Sequence, residues 1–337
     1  MTSGPLRLGL VGAGAIAQTY AQALASCGSA RLAAVADVRD EAARAMAESA
    51  GARAFASHQA MLAAGGLDAA VVCTPPSTHA EIALDLVHAG LHVLCEKPFT
   101  LSSAEARGMV DAAERAGVRL TMASKFRYVE DVIRAKSIVT SGILGEIVLF
   151  ENAFTTRVDM AGRWHADPVQ SGGGVLIDNG THAFDLMRYF LGPLAEVQCV
   201  EGKRVQGLPV EDTVRIFARS TAGVMGSIDL SWSIDKNLDS YLNIYGSHGT
   251  VSVGWRASRY KQSSGRDWVV FGGGYDKLEA FRRQLENFAA AVRGREPLLV
   301  GPADAIASVE VVEAAYASLR ENHWRQVAAG ALAEIAS

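Results

Sequence analysis

Cysteine, long apolar runs and excess charge of either sign are all scarce in this sequence. The 337 residues include 4 cysteines (Cys27, Cys73, Cys95 and Cys199), and no two of them form a CxxC pair. This spacing predicts neither a disulfide framework nor a zinc site, and it favours a reducing, cytoplasmic compartment. No stretch of about 20 unbroken apolar residues occurs, so we predict no membrane span. The net charge of -4 gives no electrostatic reason to expect a nucleic-acid or membrane partner.

The first third of the chain alternates short apolar runs with helical patterns. Such alternation is typical of a parallel sheet covered by helices on both faces, which is a doubly wound α/β domain. We place this domain at residues 1–123, and we interpret its apolar start as a strand and not as a targeting segment. The predicted strands are 6–11, 31–36, 69–73, 91–95 and 118–122, and the predicted helices are 15–26, 39–50, 78–89 and 102–116.

The pattern changes after residue 123. Longer runs that alternate polar and apolar residues predict an α+β domain, residues 124–337, with a large open and mainly antiparallel sheet. The free face of such a sheet needs covering, so we expect a homo-oligomer. The predicted strands are 146–157, 195–205, 213–219, 224–234, 240–245, 250–255 and 268–271, and the predicted helices are 129–140, 277–293 and 303–322.

A glycine-rich turn follows the first predicted strand and opens the first predicted helix. In this context Gly12 permits the tight turn, Gly14 lets the backbone approach a pyrophosphate, and Ala17 keeps the helix close to the strand. The helix N-terminus offers free N–H groups and a partial positive charge to phosphates. We therefore predict that Gly12, Gly14, Ala15 and Ile16 bind a dinucleotide. The alternative is that the glycines form only a tight strand–helix turn.

An acidic residue, Asp37, ends the second predicted strand, 25 residues after Gly12. A carboxylate at this place accepts a hydrogen bond from a ribose 2′-hydroxyl and repels a 2′-phosphate. The sequence therefore favours NAD over NADP. Arg39 stands two residues further on, and its guanidinium could accommodate that phosphate, so NADP stays possible.

A lysine follows another predicted strand, at the edge of the sheet where ligands bind. Ligands of an open parallel sheet lie beyond the carboxyl ends of its strands. The loops Thr74-Pro75 and Glu96-Lys97-Pro98 both lie on this edge, as does the glycine turn. We expect Lys97 to reach the nicotinamide end of a dinucleotide, where it could accept an alcohol proton or hydrogen-bond the hydroxyl. The alternative is a solvated lysine, and whether Lys97-Pro98 is a cis peptide stays open.

An acid and an imidazole stand four residues apart, after the three glycines 172–174. Asp178 and His182 share one face if this segment is helical. The imidazole can take a proton at neutral pH, and the carboxylate beside it can orient the ring or bind a substrate hydroxyl. In the alternative, Asp178 caps a helix and His182 packs inside. No third metal ligand stands at a useful spacing, so we predict no metal site.

These motifs follow one another in a characteristic order along nearly the whole chain. They are the glycine turn, Thr74-Pro75 with His79, Glu96-Lys97-Pro98, the glycines 172–174 with Asp178, His182 and Asp185, and a hairpin from Gly246 to Gly249. In this order they resemble the glucose–fructose oxidoreductase, inositol dehydrogenase and rhizopine-catabolism (Gfo/Idh/MocA) family. The resemblance implies a Rossmann-type domain followed by a C-terminal sheet domain, in dimers or tetramers. It also implies NAD- or NADP-dependent chemistry at a carbinol carbon of a sugar, sugar derivative or cyclitol.

The resemblance also implies roles for individual residues. Lys97, Asp178 and His182 become the catalytic set, in which His182 is the general base and Lys97 positions the hydroxyl and the cofactor. We expect further cofactor contacts from Thr74, Pro75, His79 and Glu96, and substrate contacts from Arg127, Trp164 and His165 beside the catalytic set. One departure concerns His165, which stands where the family often has an arginine after an aromatic residue.

Three functions follow as hypotheses. The main one is an NAD-dependent dehydrogenase that acts on a polyhydroxylated ring, with alcohol, base and cofactor held within near-attack distances. The second is a glycosidase of the same fold that retains NAD and releases sugar without net NADH. The third is a non-catalytic regulatory protein that responds to a dinucleotide, against which the joint presence of Lys97, Asp178 and His182 argues.

Overall fold

The computed structural model describes residues 4–328, which form two compact units. The first unit consists of residues 4–125 and 277–306, and the second consists of residues 126–276 and 307–328. The first boundary lies close to the one predicted after residue 123. The return of the chain to the first unit at residue 277 differs from the predicted division, in which one domain ran from 124 to the end.

Within residues 4–125, six strands form one sheet in which each neighbouring pair is parallel. Their order, β3-β2-β1-β4-β5-β6, is that of a Rossmann-type doubly wound sheet and confirms the predicted fold class. The strands are β1 (Leu6–Val11), β2 (Ala30–Ala36), β3 (Arg53–Phe55), β4 (Ala69–Val72), β5 (His92–Cys95) and β6 (Leu120–Met122). The helices between them are α1 (Ala15–Ala25), α2 (Asp40–Ala50), α3 (His58–Ala64), α4 (His79–His88) and α5 (Ser103–Ala116).

The sequence patterns missed two elements of this unit, β3 and α3. β3 has three residues and lies at the edge of the sheet, which is too short for a visible alternation. α3 has seven residues, and its N-cap Ser57 accepts a hydrogen bond from the N–H of Ala60. Helix α5 also has a side-chain cap, because the hydroxyl of its N-cap Ser102 accepts from the N–H of Glu105.

A helix from late in the chain, α9 (Lys277–Val292), completes the core of the first unit. Its apolar side chains Phe281, Leu285 and Phe288 are buried in one cluster with residues of β1, α1 and β2. The ring of Phe281 meets that of Tyr20 edge-on at 4.8 Å. The sequence predicted this helix correctly but not the surface that it covers, which is why α9 was assigned to the second domain.

In the described part of the second unit, nine strands form a mixed sheet of order β14-β13-β12-β11-β7-β10-β9-β8-β15. β7 and β10 are parallel and the other neighbouring pairs are antiparallel, as in the predicted mainly antiparallel sheet. The strands are β7 (Ile147–Thr155), β8 (Leu194–Glu201), β9 (Thr213–Ser220), β10 (Met225–Ser231), β11 (Ser240–Gly246), β12 (Gly249–Gly254), β13 (Ser258–Gln262), β14 (Val269–Gly272) and β15 (Arg325–Gln326). β13 and β15 were not predicted, because neither carries an apolar run.

One face of this sheet is buried and the other is not. On β9, Val214, Ile216 and Ala218 are buried, whereas Arg215 and Phe217 between them are exposed. The buried face packs against α8 (Val175–Leu191), and the remaining helices are α6 (Glu130–Thr140), α7 (Pro168–Ser171) and α10 (Pro302–Glu321). Among residues 4–328, no helix combines the length and the apolar character needed to cross a bilayer.

Candidate functional site

The glycine turn after β1 contains two glycines with different structural requirements. Gly12 has a φ of +95°, and a Cβ atom there would lie 2.8 Å from the carbonyl oxygen of Cys73. Both the backbone conformation and the end of β4 therefore exclude a side chain at Gly12. Gly14 has an ordinary φ of -80°, and a Cβ atom there would meet no non-neighbouring atom within 4 Å among the described residues. The fold does not demand a glycine at position 14, whereas the close approach of a phosphate group would.

Helix α1 begins directly after Gly14, with no side-chain acceptor at its N-cap and no acidic residue in its first turn. Its first N–H groups and the positive end of its dipole are therefore suited to an anion. Ala17 is fully buried, which brings the helix close to the sheet. The glycine turn and the start of α1 thus fit the pyrophosphate of a dinucleotide.

Asp37 follows β2 and is bonded to the glycine turn. Its Oδ2 accepts the N–H of Ala13 at 2.6 Å, and its Oδ1 accepts the backbone N–H of Arg39 at 2.8 Å and the Nε of Arg39 at 3.2 Å. Partial burial opposes ionisation of Asp37, but these hydrogen bonds outweigh it and lower its pKa. Each carboxylate oxygen can accept more than one hydrogen bond, so a ribose hydroxyl remains a compatible donor. Arg39 lies over the carboxylate with 66% of its side chain exposed.

Glu96, which was predicted to contact the cofactor, faces the interior of the first unit. Its Oε1 accepts the hydroxyl of Tyr20 at 2.8 Å, and its Oε2 accepts the N–H of Lys97 at 3.0 Å. Tyr20 in turn accepts the side-chain amide of Gln284 at 2.9 Å. Burial raises the pKa of Glu96, while the Lys97 ammonium and the Tyr20 hydroxyl act in the opposite direction. Glu96 therefore fixes the turn that carries Lys97, and we assign it a positioning part in place of a direct contact.

Tyr20 was not identified from the sequence, although a signal existed. It lies three residues after Ala17 on the buried stripe of α1, and a buried tyrosine needs a partner for its hydroxyl. Burial also raises its pKa well above the usual value, so the phenol stays protonated and donates to Glu96. Tyr20 thereby connects the helix of the glycine turn to the turn at Lys97.

His79 also differs from its predicted part, because its imidazole is fully buried. Its Nδ1 lies 2.9 Å from the carbonyl oxygen of Pro98, and its Nε2 lies 2.9 Å from that of Thr74. Burial lowers the pKa of His79, so the ring is neutral at pH 7 and donates to one carbonyl at a time. The imidazole links the loop after β4, with Thr74 and Pro75, to the cis peptide Lys97–Pro98. It positions both loops.

In the second unit, Asp178 and His182 both lie on α8, a helix on which the prediction of a shared face was conditional. Gly174 is the N-cap of this helix, so Asp178 is not its cap. His182 is 6% exposed, and its ring meets the ring of Phe126 edge-on at 5.1 Å. The two side chains are one helical turn apart, which is the spacing at which a carboxylate and an imidazole share a face.

Arg127, a predicted substrate contact, forms a buried ion pair with Asp185 of α8. Its Nε and Nη2 donate to the two carboxylate oxygens at 2.9 and 2.6 Å, and the two side chains are 5% and 0% exposed. Its guanidinium also lies 5.1 Å from the ring centre of Tyr189. Because this guanidinium is buried and paired with Asp185, Arg127 holds α8 in place. The same geometry argues against a direct substrate contact.

Trp164 and His165 lie in one 3-10 turn, Trp164–Ala166, of the second unit. Their rings stack on each other with centroids 3.7 Å apart. Trp164 is 37% exposed, so the stacked pair presents an aromatic face to its surroundings. Such a face suits the apolar side of a sugar ring, and both residues stay predicted substrate contacts.

The fold and these residues define a class of protein, an oxidoreductase with a Rossmann-type domain and a second domain built on an open sheet. Residues 6–124 match the oxidoreductase family with the NAD-binding Rossmann fold, and residues 132–252 match the GFO/IDH/MocA C-terminal domain. The chain belongs to this Gfo/Idh/MocA family, which confirms the resemblance inferred from the motifs. Membership also confirms an oxidoreductase with an NAD-binding domain.

Named relatives are similar over nearly their full length. The rhizopine catabolism protein MocA of Rhizobium meliloti is 30% identical, over 92% of this chain and 93% of that protein. The inositol 2-dehydrogenase of Rhizobium meliloti (strain 1021) is 26% identical, over 96% and 99%. The structure of the WlbA dehydrogenase from Bordetella pertussis, in complex with NADH and UDP-GlcNAcA, has a TM-score of 0.85 at 28% identity and covers 97% of this chain and 99% of that chain.

Proposed function

We propose that this protein is an NAD-dependent dehydrogenase for a CH–OH group on a polyhydroxylated ring, which is a sugar, a sugar derivative or a cyclitol. The way in which Lys97 is held carries the proposal. Its turn is bonded to α1 through Glu96 and Tyr20, and to the loop after β4 through His79. Lys97 therefore stands at the sheet edge of the glycine turn, where the ligands of this fold bind. A lysine carried on a turn fixed in this way suits a role in proton transfer better than that of a merely solvated surface residue.

The proposed roles use residues of both units. Bound NAD supplies the hydride acceptor. His182 takes the hydroxyl proton as the general base, since an imidazole exchanges protons near neutral pH. Asp178, one turn earlier on α8, orients the imidazole or accepts a substrate hydroxyl. Lys97 donates a hydrogen bond to the reacting hydroxyl and positions the cofactor.

The remaining assignments extend the proposal to the whole chain. The first unit binds NAD, or NADP with lower affinity, and the second unit binds the substrate and forms the oligomer. The exposed face of the second sheet, which includes Phe217 and Met225, is the surface that a homodimer or homotetramer would cover. The four cysteines are free and buried, which suits a reducing, cytoplasmic compartment.

The printed names of the relatives indicate which substrates to test first. They include an inositol dehydrogenase and a dehydrogenase in complex with a nucleotide-sugar acid. The test assays inositols, free sugars and nucleotide-sugars with NAD and with NADP, and follows the absorbance of the reduced cofactor. A protein that reduces neither cofactor with any member of the panel would refute the proposed activity.

The same assay tests the role of Lys97. Lys97→Ala should lower kcat by about 100- to 10,000-fold, because it removes a group that acts on the proton being transferred. Lys203→Ala is the matched control, since Lys203 is exposed and its removal should leave kcat unchanged. Normal turnover by the Lys97 variant would count against the assignment.

A further inference from the structure

One residue far along the chain holds the start of helix α8. The backbone N–H groups of Gly174 and Leu176 donate to the same oxygen, Oε1 of Glu211, at 2.9 and 3.1 Å. Between them, the N–H of Val175 donates to the carbonyl oxygen of Glu211 at 2.9 Å. The first N–H groups of a helix have no partner within the helix. Glu211 therefore satisfies three of them at once.

A tyrosine and two glycines make this arrangement tight. The hydroxyl of Tyr316, on α10, donates to Oε1 of Glu211 at 2.8 Å. A Cβ atom on Gly173 would lie 1.8 Å from that hydroxyl, and one on Gly174 would lie 2.0 Å from the carbonyl oxygen of Glu211. The glycines before α8 are thus required because Glu211 and Tyr316 pack directly on the backbone. The positive end of α8 is already occupied by a carboxylate of the protein itself.

The electrostatics of this contact follow from its burial. Glu211 is 5% exposed, and burial raises the pKa of its carboxyl, whereas the hydrogen bonds that it accepts act in the opposite direction. A buried carboxylate is stabilised by N–H donors and by the positive end of a helix dipole. Gly174 itself supplies no capping side chain, so Glu211 does the work of an N-cap from a distant position.

We propose that Glu211, held by Tyr316, is the positioning residue that sets the placement of Asp178 and His182 on α8. The inference rests on the proposed function, in which these two side chains handle the substrate proton. Asp178 lies four residues after Gly174, so its direction depends directly on how the first turn is anchored. His182 lies one turn further along the same face. Neither Glu211 nor Tyr316 belongs to the residues assigned to cofactor binding.

The test uses four variants of the full-length protein. Glu211→Ala removes the acceptor, and Glu211→Gln keeps an amide oxygen that can accept the same two N–H groups. Tyr316→Phe removes the hydroxyl alone. Ser318→Ala is the matched control, because it deletes another buried hydroxyl of α10, which bonds the backbone of Cys199 and of His323.

Two measurements are made on each variant. The first is kcat with NAD and the best substrate of the panel, together with NADH binding by fluorescence. The second needs no substrate and follows the His182 imidazole by NMR titration of the protein with 13C-labelled histidine, assigned with His182→Gln. Glu211→Ala should lower kcat by about 10- to 100-fold, as displaced catalytic groups do, while NADH affinity stays at the wild-type level. The pH midpoint of the His182 titration should shift further from the wild-type value in Glu211→Ala than in Ser318→Ala.

The conservative variants decide between positioning and simple loss of stability. Glu211→Gln should have a kcat and a His182 titration midpoint close to those of the wild type. Tyr316→Phe should give values of both quantities between those of Glu211→Gln and Glu211→Ala. If Glu211→Ala does not fold, Tyr316→Phe and Ser318→Ala are compared instead. A lower kcat and a larger shift of the His182 midpoint in Tyr316→Phe than in Ser318→Ala would then support positioning. A His182 midpoint that moves no more in these variants than in Ser318→Ala would overturn the inference. If the wild type reduces no cofactor, the proposed function fails, and the titration alone still decides on the role of Glu211.

Discussion

Replacing Asp37 by alanine should change which nicotinamide cofactor the protein prefers. The carboxylate lies at the end of β2, bonded to Ala13 of the glycine turn and to Arg39. In a Rossmann-type domain this place is next to the adenosine ribose. We expect Asp37→Ala to weaken NADH binding and to spare or improve NADPH binding.

The magnitude follows from the two contacts that change. A hydrogen bond from a ribose hydroxyl to a carboxylate contributes about 1.5–3 kcal/mol, so its loss should raise the Kd of NADH about 10- to 150-fold. For NADPH, the variant removes a repulsion that reaches about 4 kcal/mol for unit charges 4 Å apart at an effective dielectric constant of about 20. The Asp37 side chain is 8% exposed, so solvent screens this repulsion incompletely. Arg39, released from Asp37, also becomes available to the 2′-phosphate.

The assay is a fluorescence titration with NADH and with NADPH at fixed ionic strength. Asp37→Ala also removes the acceptor of the Ala13 N–H, which would weaken both cofactors alike. Asp37→Asn separates this effect, because its amide oxygen still accepts that N–H while the charge is gone. Arg39→Ala should weaken NADPH more than NADH. Equal losses of both cofactors in Asp37→Ala would refute the role given to Asp37.

Further substitutions separate ligand binding from folding. Gly14→Ala should weaken NADH binding while the thermal midpoint stays near wild type, because no described atom crowds the new methyl group. Gly12→Ala should weaken NADH binding and also cost about 1–3 kcal/mol of stability, since it strains a backbone with positive φ. Normal NADH binding by Gly14→Ala would contradict the assignment of the glycine turn to the cofactor. Arg127→Ala should lower the free energy of unfolding in urea by about 3–5 kcal/mol, because Asp185 stays buried without its bidentate partner. Arg127→Met combined with Asp185→Leu should recover part of this loss, and a double variant no more stable than Arg127→Ala would contradict that explanation.

Local patterns in the sequence were sufficient for the fold class and for the order of most elements. Short apolar runs, separated by helical patterns, predicted five of the six strands of the first sheet, since a strand between two helical layers is apolar along its length. The spacing of Asp178 and His182 indicated a shared face if the segment was helical, and the glycine turn was placed between β1 and α1. These features depend on residues that are neighbours in the chain, so periodicity and turn chemistry reveal them.

Tertiary structure decided how those elements are joined. Helix α9 was predicted from the sequence, but its partner, the core around Tyr20, was not. The inward direction of Glu96, the contact of His79 with the carbonyl of Pro98 and the pairing of Arg127 with Asp185 all depend on residues from 19 to 76 positions apart. Glu211 is separated from the helix that it anchors by 35 to 37 positions. A sequence pattern shows which face of an element is buried, whereas the partner of a buried polar group depends on which distant donor or acceptor the packed chain brings within hydrogen-bond distance.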